Sequence, residues 1–122
     1  MNSFLASTIT GSSRGKSLGF ATINLVLSDI PENTEEGVYA ATVVLEDDTV
    51  VYKAAVHYGP RPVFADGIAF EVHLIDESLN YLPPSLTVTL IQKLRDVQDF
   101  DSTEQLQEQI RKDIANCRTI LS

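Results

Sequence analysis

Four stretches of this chain carry apolar and β-branched residues at strand length. Val38-Tyr39-Ala40-Ala41-Thr42-Val43-Val44-Leu45 is one, and Thr49-Val50-Val51-Tyr52-Lys53-Ala54-Ala55-Val56 is the next. Such residues fit a pleated, half-buried surface. The polar break Glu46-Asp47-Asp48 between them predicts a hairpin. In Ile68-Ala69-Phe70-Glu71-Val72-His73-Leu74-Ile75, Phe70, Val72 and Leu74 share one face, while Glu71 and His73 share the other, because successive side chains of a strand point opposite ways. Leu86-Thr87-Val88-Thr89-Leu90-Ile91 alternates in the same manner after the Pro83-Pro84 break. Shorter patterns predict a first strand near residues 4–10 and a second near residues 23–27.

Toward the end of the chain the period changes. Leu106, Ile110, Ile114, Cys117 and Leu121 are spaced by four, four, three and four, one stripe of a helix. Asp101 or Ser102 can cap its start, with Glu104 or Gln105 three residues later as in a capping box. Five or six short strands followed by one helix predict a mainly β fold, an antiparallel sheet closed into a small barrel. The helix is expected to pack across an opening or a side of that barrel.

Composition narrows the picture. With 122 residues and no linker, repeat or low-complexity tract, residues 1–122 are expected to form a single domain. A formal charge of −8 argues against nucleic acid or an anionic membrane as partner. A polyanionic substrate would then need a local device, such as a metal ion or a backbone-lined loop. The single Cys117 excludes an internal disulfide and suits a reducing compartment. No apolar stretch has the length of a membrane span, and Met1-Asn2-Ser3-Phe4-Leu5 lacks the pattern of a secretory signal. The expectation is a cytoplasmic protein.

Three groups of residues carry candidate chemistry. Gly11-Ser12-Ser13-Arg14-Gly15-Lys16-Ser17 looks like a P-loop, but it has three residues between its glycines where that motif needs four. A solvated loop is the ordinary reading, although Gly15, Lys16 and free backbone N–H groups are chemically fit to cover a phosphate. Thr22 and Asn24 point the same way on an extended segment, and their oxygens suit Mg²⁺. On a strand, however, Thr-x-Asn is usually a polar surface. Glu71 is an ordinary strand carboxylate unless a substrate hydroxyl lies beside it, in which case it is a general base. His73 shares its face; His57 and Cys117 offer no zinc spacing.

Taken together these motifs resemble the riboflavin kinase family, including the kinase half of bacterial bifunctional FAD synthetases. Gly15-Lys16-Ser17-Leu18-Gly19-Phe20-Ala21-Thr22-Ile23-Asn24 is similar to its Gly-Arg-x-Leu-Gly-x-Pro-Thr-Ala-Asn. Gly37-Val38-Tyr39, Tyr58-Gly59-Pro60-Arg61-Pro62-Val63-Phe64 and Glu71-Val72-His73-Leu74-Ile75-Asp76 follow in family order. Leu94-Arg95, Phe100-Asp101-Ser102, Leu106, Gln109-Ile110 and Asp113 match its tail. The resemblance implies a closed six-stranded antiparallel Greek-key barrel with a C-terminal helix, and transfer of a phosphoryl group from ATP to riboflavin. It implies that Thr22 and Asn24 hold Mg²⁺ and the ATP phosphates, that the Gly15-Lys16 loop closes over the nucleotide, and that Glu71 is the catalytic base. Arg95 and Phe100 fall where the flavin is contacted.

The chain departs from the family where Ala21 replaces Pro, Ile23 replaces Ala, His57 replaces a residue that is often Asn, and Glu77 replaces an aromatic. Without proline the turn before Thr22 is expected to be less rigid. The adenylyltransferase domain of the bifunctional proteins has no counterpart in these 122 residues. The expected product is therefore FMN, with a separate adenylyltransferase as a possible partner for FAD. Two readings stand: an active kinase, or a protein of the same fold that binds flavin or nucleotide without turnover.

Overall fold

The computed structural model describes residues 2–9, 21–46, 49–60, 67–77, 79 and 81–122, with backbone only for Asn2 and Ala21. The strands are β1 (Asn2–Ser7), β2 (Ala21–Asn24), β3 (Gly37–Leu45), β4 (Val51–Pro60), β5 (Ile68–Leu74) and β6 (Ser85–Arg95), followed by helix α1 (Thr103–Leu121). They form one sheet in the order β1-β6-β3-β4-β5-β2, and every pair in it is antiparallel. The expected hairpin is β3–β4, which pairs Val44 with Val51 and Gly37 with Tyr58.

The sheet curls until its two edges meet. Among the described residues they join at the Thr8–Leu25 bridge. Beside it the Ile9 N–H donates to the Asn24 carbonyl at 2.8 Å and the Val26 N–H to the Ser7 carbonyl at 2.9 Å. The expected barrel is thus a curled sheet, sewn shut by a short seam at one end. A 3-10 turn, Leu27–Asp29, follows this seam, and Asp29 Oδ2 accepts the Ser7 N–H at 2.9 Å.

The concave side is the main core. Phe70 is fully buried there, and its ring stands edge-on to Phe4 at 5.7 Å and tilted against Tyr58 at 5.3 Å. Three strands therefore meet on one aromatic group, and the Phe4 contact has the edge-to-face geometry that ring quadrupoles favour. Two glycines permit close approaches around this frame. Gly37 has φ +158°, and a Cβ there would lie 3.0 Å from the Arg95 carbonyl oxygen; at Gly59, φ +142°, it would lie 3.0 Å from Val97 Cγ2.

Helix α1 packs on the convex side, against β3 and β4. Ala40 and Ala55 are small enough to let it approach, and with Ile75 and Cys117 they form a second buried cluster. The Cys117 thiol faces the Tyr39 carbonyl at 3.9 Å, and burial pushes its pKa up to about 11. Ser102 is the N-cap and accepts the Gln105 N–H at 3.2 Å, while Gln105 Oε1 takes the Asp101 N–H at 3.1 Å. The inward stripe differs from the expected one. Leu106, Asp113 and Cys117 are buried on it, whereas Ile110 and Ile114 are only half-buried. A charged residue takes the central place because a partner waits for it on β6, as shown below.

Two strands outrun their sequence patterns. β4 continues through His57 to Pro60, and β6 continues past Ile91 to Arg95. Register shifts between Val38 and Tyr39 and between Ala40 and Ala41 break the β3–β6 ladder, so alternation is lost there.

Truncating Phe70 removes the aromatic group common to three strands. Phe70→Ala should lower the unfolding free energy by about 3–5 kcal/mol in denaturant titration. Ile110→Ala, at a half-buried position, should cost clearly less.

Candidate active site

Strands β2, β5 and β4 lie side by side, and their registers decide which outward residues meet. Thr22 is opposite His73 and Asn24 is opposite Glu71 across β2 and β5; His57 is opposite Glu71 across β4 and β5. Ile23, Val56, Phe70 and Val72 point into the core. The alternate residues Thr22, Asn24, His57, Glu71 and His73 therefore form one polar strip on the convex side.

This strip is not a solvated face. The side chains of His57 and Glu71 are 12 % and 19 % exposed, and Asn24 is 7 % exposed. Thr22 Oγ1 lies 3.0 Å from His73 Nδ1, and His57 Nδ1 lies 3.8 Å from Glu71 Oε1. Burial, reinforced by neighbouring His57 and only partly opposed by Asp113, lowers the His73 pKa from 6.5 to about 4. Its imidazole is neutral at pH 7. The ordinary expectation for Thr-x-Asn and for a lone strand carboxylate, free exposure to water, does not describe these residues. A hydroxyl, an amide and a carboxylate brought together out of bulk water can bind a cation and take up a proton.

Arg95 lies at the end of β6, two strands from β4 in the sheet order. Its Nε and Nη2 donate to Asp113 Oδ1 and Oδ2 at 3.0 and 2.8 Å, and its Nη1 donates to the Asp96 carbonyl at 3.0 Å. Gln109 Nε2 adds a third donor to Asp113, at 3.1 Å. The pair is largely buried, with side chains 18 % and 6 % exposed, and it fastens α1 to β6. Phe100 is half-buried in the segment joining these two elements. Gly15 and Lys16 lie outside the described residues, as do Arg61, Val63 and Phe64.

Two neighbours of the site were not foreseen as such. His57 could have been found by continuing the β4 alternation, in which Ala54 and Val56 point inward and Ala55 and His57 outward. Asp113 sits three residues after Ile110 and four before Cys117, on the inward stripe, but its charge reads as a solvent face. Among the departures from the resemblance, Ile23 is 5 % exposed inside the barrel and does not crowd the strip.

These features define a small antiparallel barrel with a half-buried polar site on its flank, beside the C-terminal helix. The profile of the flavokinase family, riboflavin kinase, matches residues 3–121, and the chain belongs to that family. It is 31% identical over 116 residues to the bifunctional riboflavin kinase/FMN adenylyltransferase of Haemophilus influenzae, covering 93% of this chain and 37% of that protein. Against the Escherichia coli K12 protein of the same description it is 32% identical over 112 residues, 90% of this chain and 35% of the other. The chain thus spans little more than a third of the length of these relatives. A crystal structure described as a macrolide-efflux protein from Streptococcus pneumoniae matches with a TM-score of 0.78 and 30% identity, over 95% of this chain and 38% of that one. No described helix is long and apolar enough to cross a membrane.

Two outcomes test this geometry. The unfolded chain protonates His73 near 6.5, while the folded chain resists until about 4. The unfolded state therefore binds more protons between those values, and this contribution to stability is complete above 6.5 and lost as pH falls toward 4. The imidazole resonances of His73 should accordingly titrate near pH 4. Asp113→Ala leaves the Arg95 guanidinium buried without its carboxylate and should destabilise the fold by about 3–5 kcal/mol in denaturant titration.

Proposed function

We propose that this domain is a riboflavin kinase, transferring the γ-phosphoryl group of ATP to the terminal ribityl hydroxyl of riboflavin to give FMN and ADP. The observation that carries the reading is the β2–β5 register, which pairs Glu71 with Asn24 and puts Thr22 diagonally across from it on the same half-buried strip. The acceptor proton goes to Glu71 as the hydroxyl oxygen forms its bond to phosphorus. The bond to the leaving oxygen breaks, and ADP departs with that electron pair. Such transfer needs positioning and charge neutralisation more than covalent help from the protein.

The Thr22 hydroxyl and the Asn24 amide oxygen are hard donors of the kind Mg²⁺ prefers. Bound there with ATP, Mg²⁺ supplies positive charge to the phosphates, which a chain of net charge −8 otherwise lacks. Gly15 and Lys16 are assigned to cover the nucleotide. Arg95 and Phe100 are assigned to the flavin side, with the guanidinium held still by Asp113. A cytoplasmic location suits both substrates. FMN is also what the adenylyltransferase named in the bifunctional relatives would consume, so an activity of that kind is a fitting partner.

Riboflavin and Mg-ATP should yield FMN in a coupled assay. Glu71→Gln keeps size and polarity but cannot take the proton, so turnover should fall about 10²–10⁴-fold with flavin binding retained. Thr22→Val should weaken Mg-ATP binding and leave the melting temperature near that of the parent. A parent that binds riboflavin yet forms no FMN would leave only the binding reading.

A further inference from the structure

On the strip, the side chains of Thr22 and His73 meet at hydrogen-bond distance, 3.0 Å from Oγ1 to Nδ1. The contact is built into the sheet, since the two residues are register partners across β2 and β5. A hydroxyl has one proton and two lone pairs, and a neutral imidazole has one donor and one acceptor nitrogen. Either atom of this pair can be the donor on distance alone. The proposed task of Thr22 separates the two cases. An oxygen that turns a lone pair toward a cation must send its proton elsewhere, to an acceptor. If Nδ1 carried the proton instead, it would occupy one of the oxygen's two lone pairs, and the hydroxyl proton would need an acceptor other than His73.

From this geometry we infer that His73 is a positioning residue whose unprotonated Nδ1 accepts the Thr22 proton and so fixes the hydroxyl oxygen toward the metal. The inference rests on the kinase reading of the strip. It gives His73 a role distinct from that of Glu71: the histidine acts on the metal ligand and touches neither substrate nor proton in transfer. Partners that orient metal ligands in this way are worth about 10–100-fold in metal affinity or activity.

The test compares side chains that offer an acceptor at different reach. Asparagine carries its amide oxygen on Cγ, the atom to which Nδ1 is attached. Glutamine carries it one atom further out, near the place of Nε2. Calorimetry on the full chain would give the dissociation constant of ADP with Mg²⁺ and again with a chelator. The parent should bind ADP more tightly with Mg²⁺. His73→Leu should lose about 10–100-fold of affinity in Mg²⁺ and nothing in the chelator. His73→Asn should keep most of the Mg²⁺ effect and His73→Gln should not. If His73→Leu fails to fold, the comparison of His73→Asn with His73→Gln decides. The inference is overturned if His73→Leu matches the parent in Mg²⁺, or if Gln serves as well as Asn. A parent that forms FMN and gains affinity from Mg²⁺, with variants that gain equally, removes the role of His73 alone. A parent that gains nothing from Mg²⁺ removes the metal reading of Thr22 and this inference with it.

Discussion

The register of β5 between β2 and β4 is the constraint on which everything else depends. A strand has a side-chain period of two, so a slip of one residue would send Glu71 and His73 into the core and Phe70, Val72 and Leu74 out of it. Phe70 guards against that slip. Its ring is fixed by Phe4 from β1 and Tyr58 from β4, two strands far apart in the sheet order. The hydrophobic core thus acts at a distance, since packing on the concave side sets the chemistry on the convex side. Nothing in the polar strip itself has to supply that precision.

The helix is held by a different balance. Ala40 and Ala55 contribute little area but let α1 lie close against β3 and β4. The Arg95–Asp113 pair adds direction to that contact. Removing two charges from water costs several kcal/mol per ion, so such a pair gives modest net stability while strongly disfavouring any docking that leaves one partner alone. Its bidentate geometry therefore defines where along β6 the helix must sit. The segment between Arg95 and the Ser102 cap, which contains Phe100, is anchored at both ends.

Much of this was legible in the sequence, and the remainder has clear physical reasons for being hidden. Strands β3 to β6, the β3–β4 hairpin and the cap of α1 follow from alternation, β-branched runs and a Ser-x-x-Gln box, whereas β1 and β2 begin and end two to three residues before their expected ranges. Residues 92–95 of β6 escaped because a strand that passes through register shifts no longer alternates. The Thr8–Leu25 seam escaped because closure depends on sheet curl, which leaves no mark in one strand's pattern. For the site, periodicity placed Glu71 and His73 on one face, but it could not show that this face is shielded. Exposure there is set by neighbouring strands and the helix, all distant in sequence. His57 and Asp113 were missed for the same reason, since each matters through a partner on another element.

The buried thiol carries a consequence for chemical modification. Thiols react as thiolates, and Cys117, on the inward face of α1, has its ionisation pushed up to about 11. Alkylating reagents and peroxide therefore meet it only in molecules whose helix has lifted away from Ala40 and Ala55. When such opening is rapid and reversible, the rate of labelling equals the reagent's intrinsic rate multiplied by the open fraction. The chain's single cysteine is thus a built-in clock for helix release, and anything that binds across the barrel and α1 together should slow it.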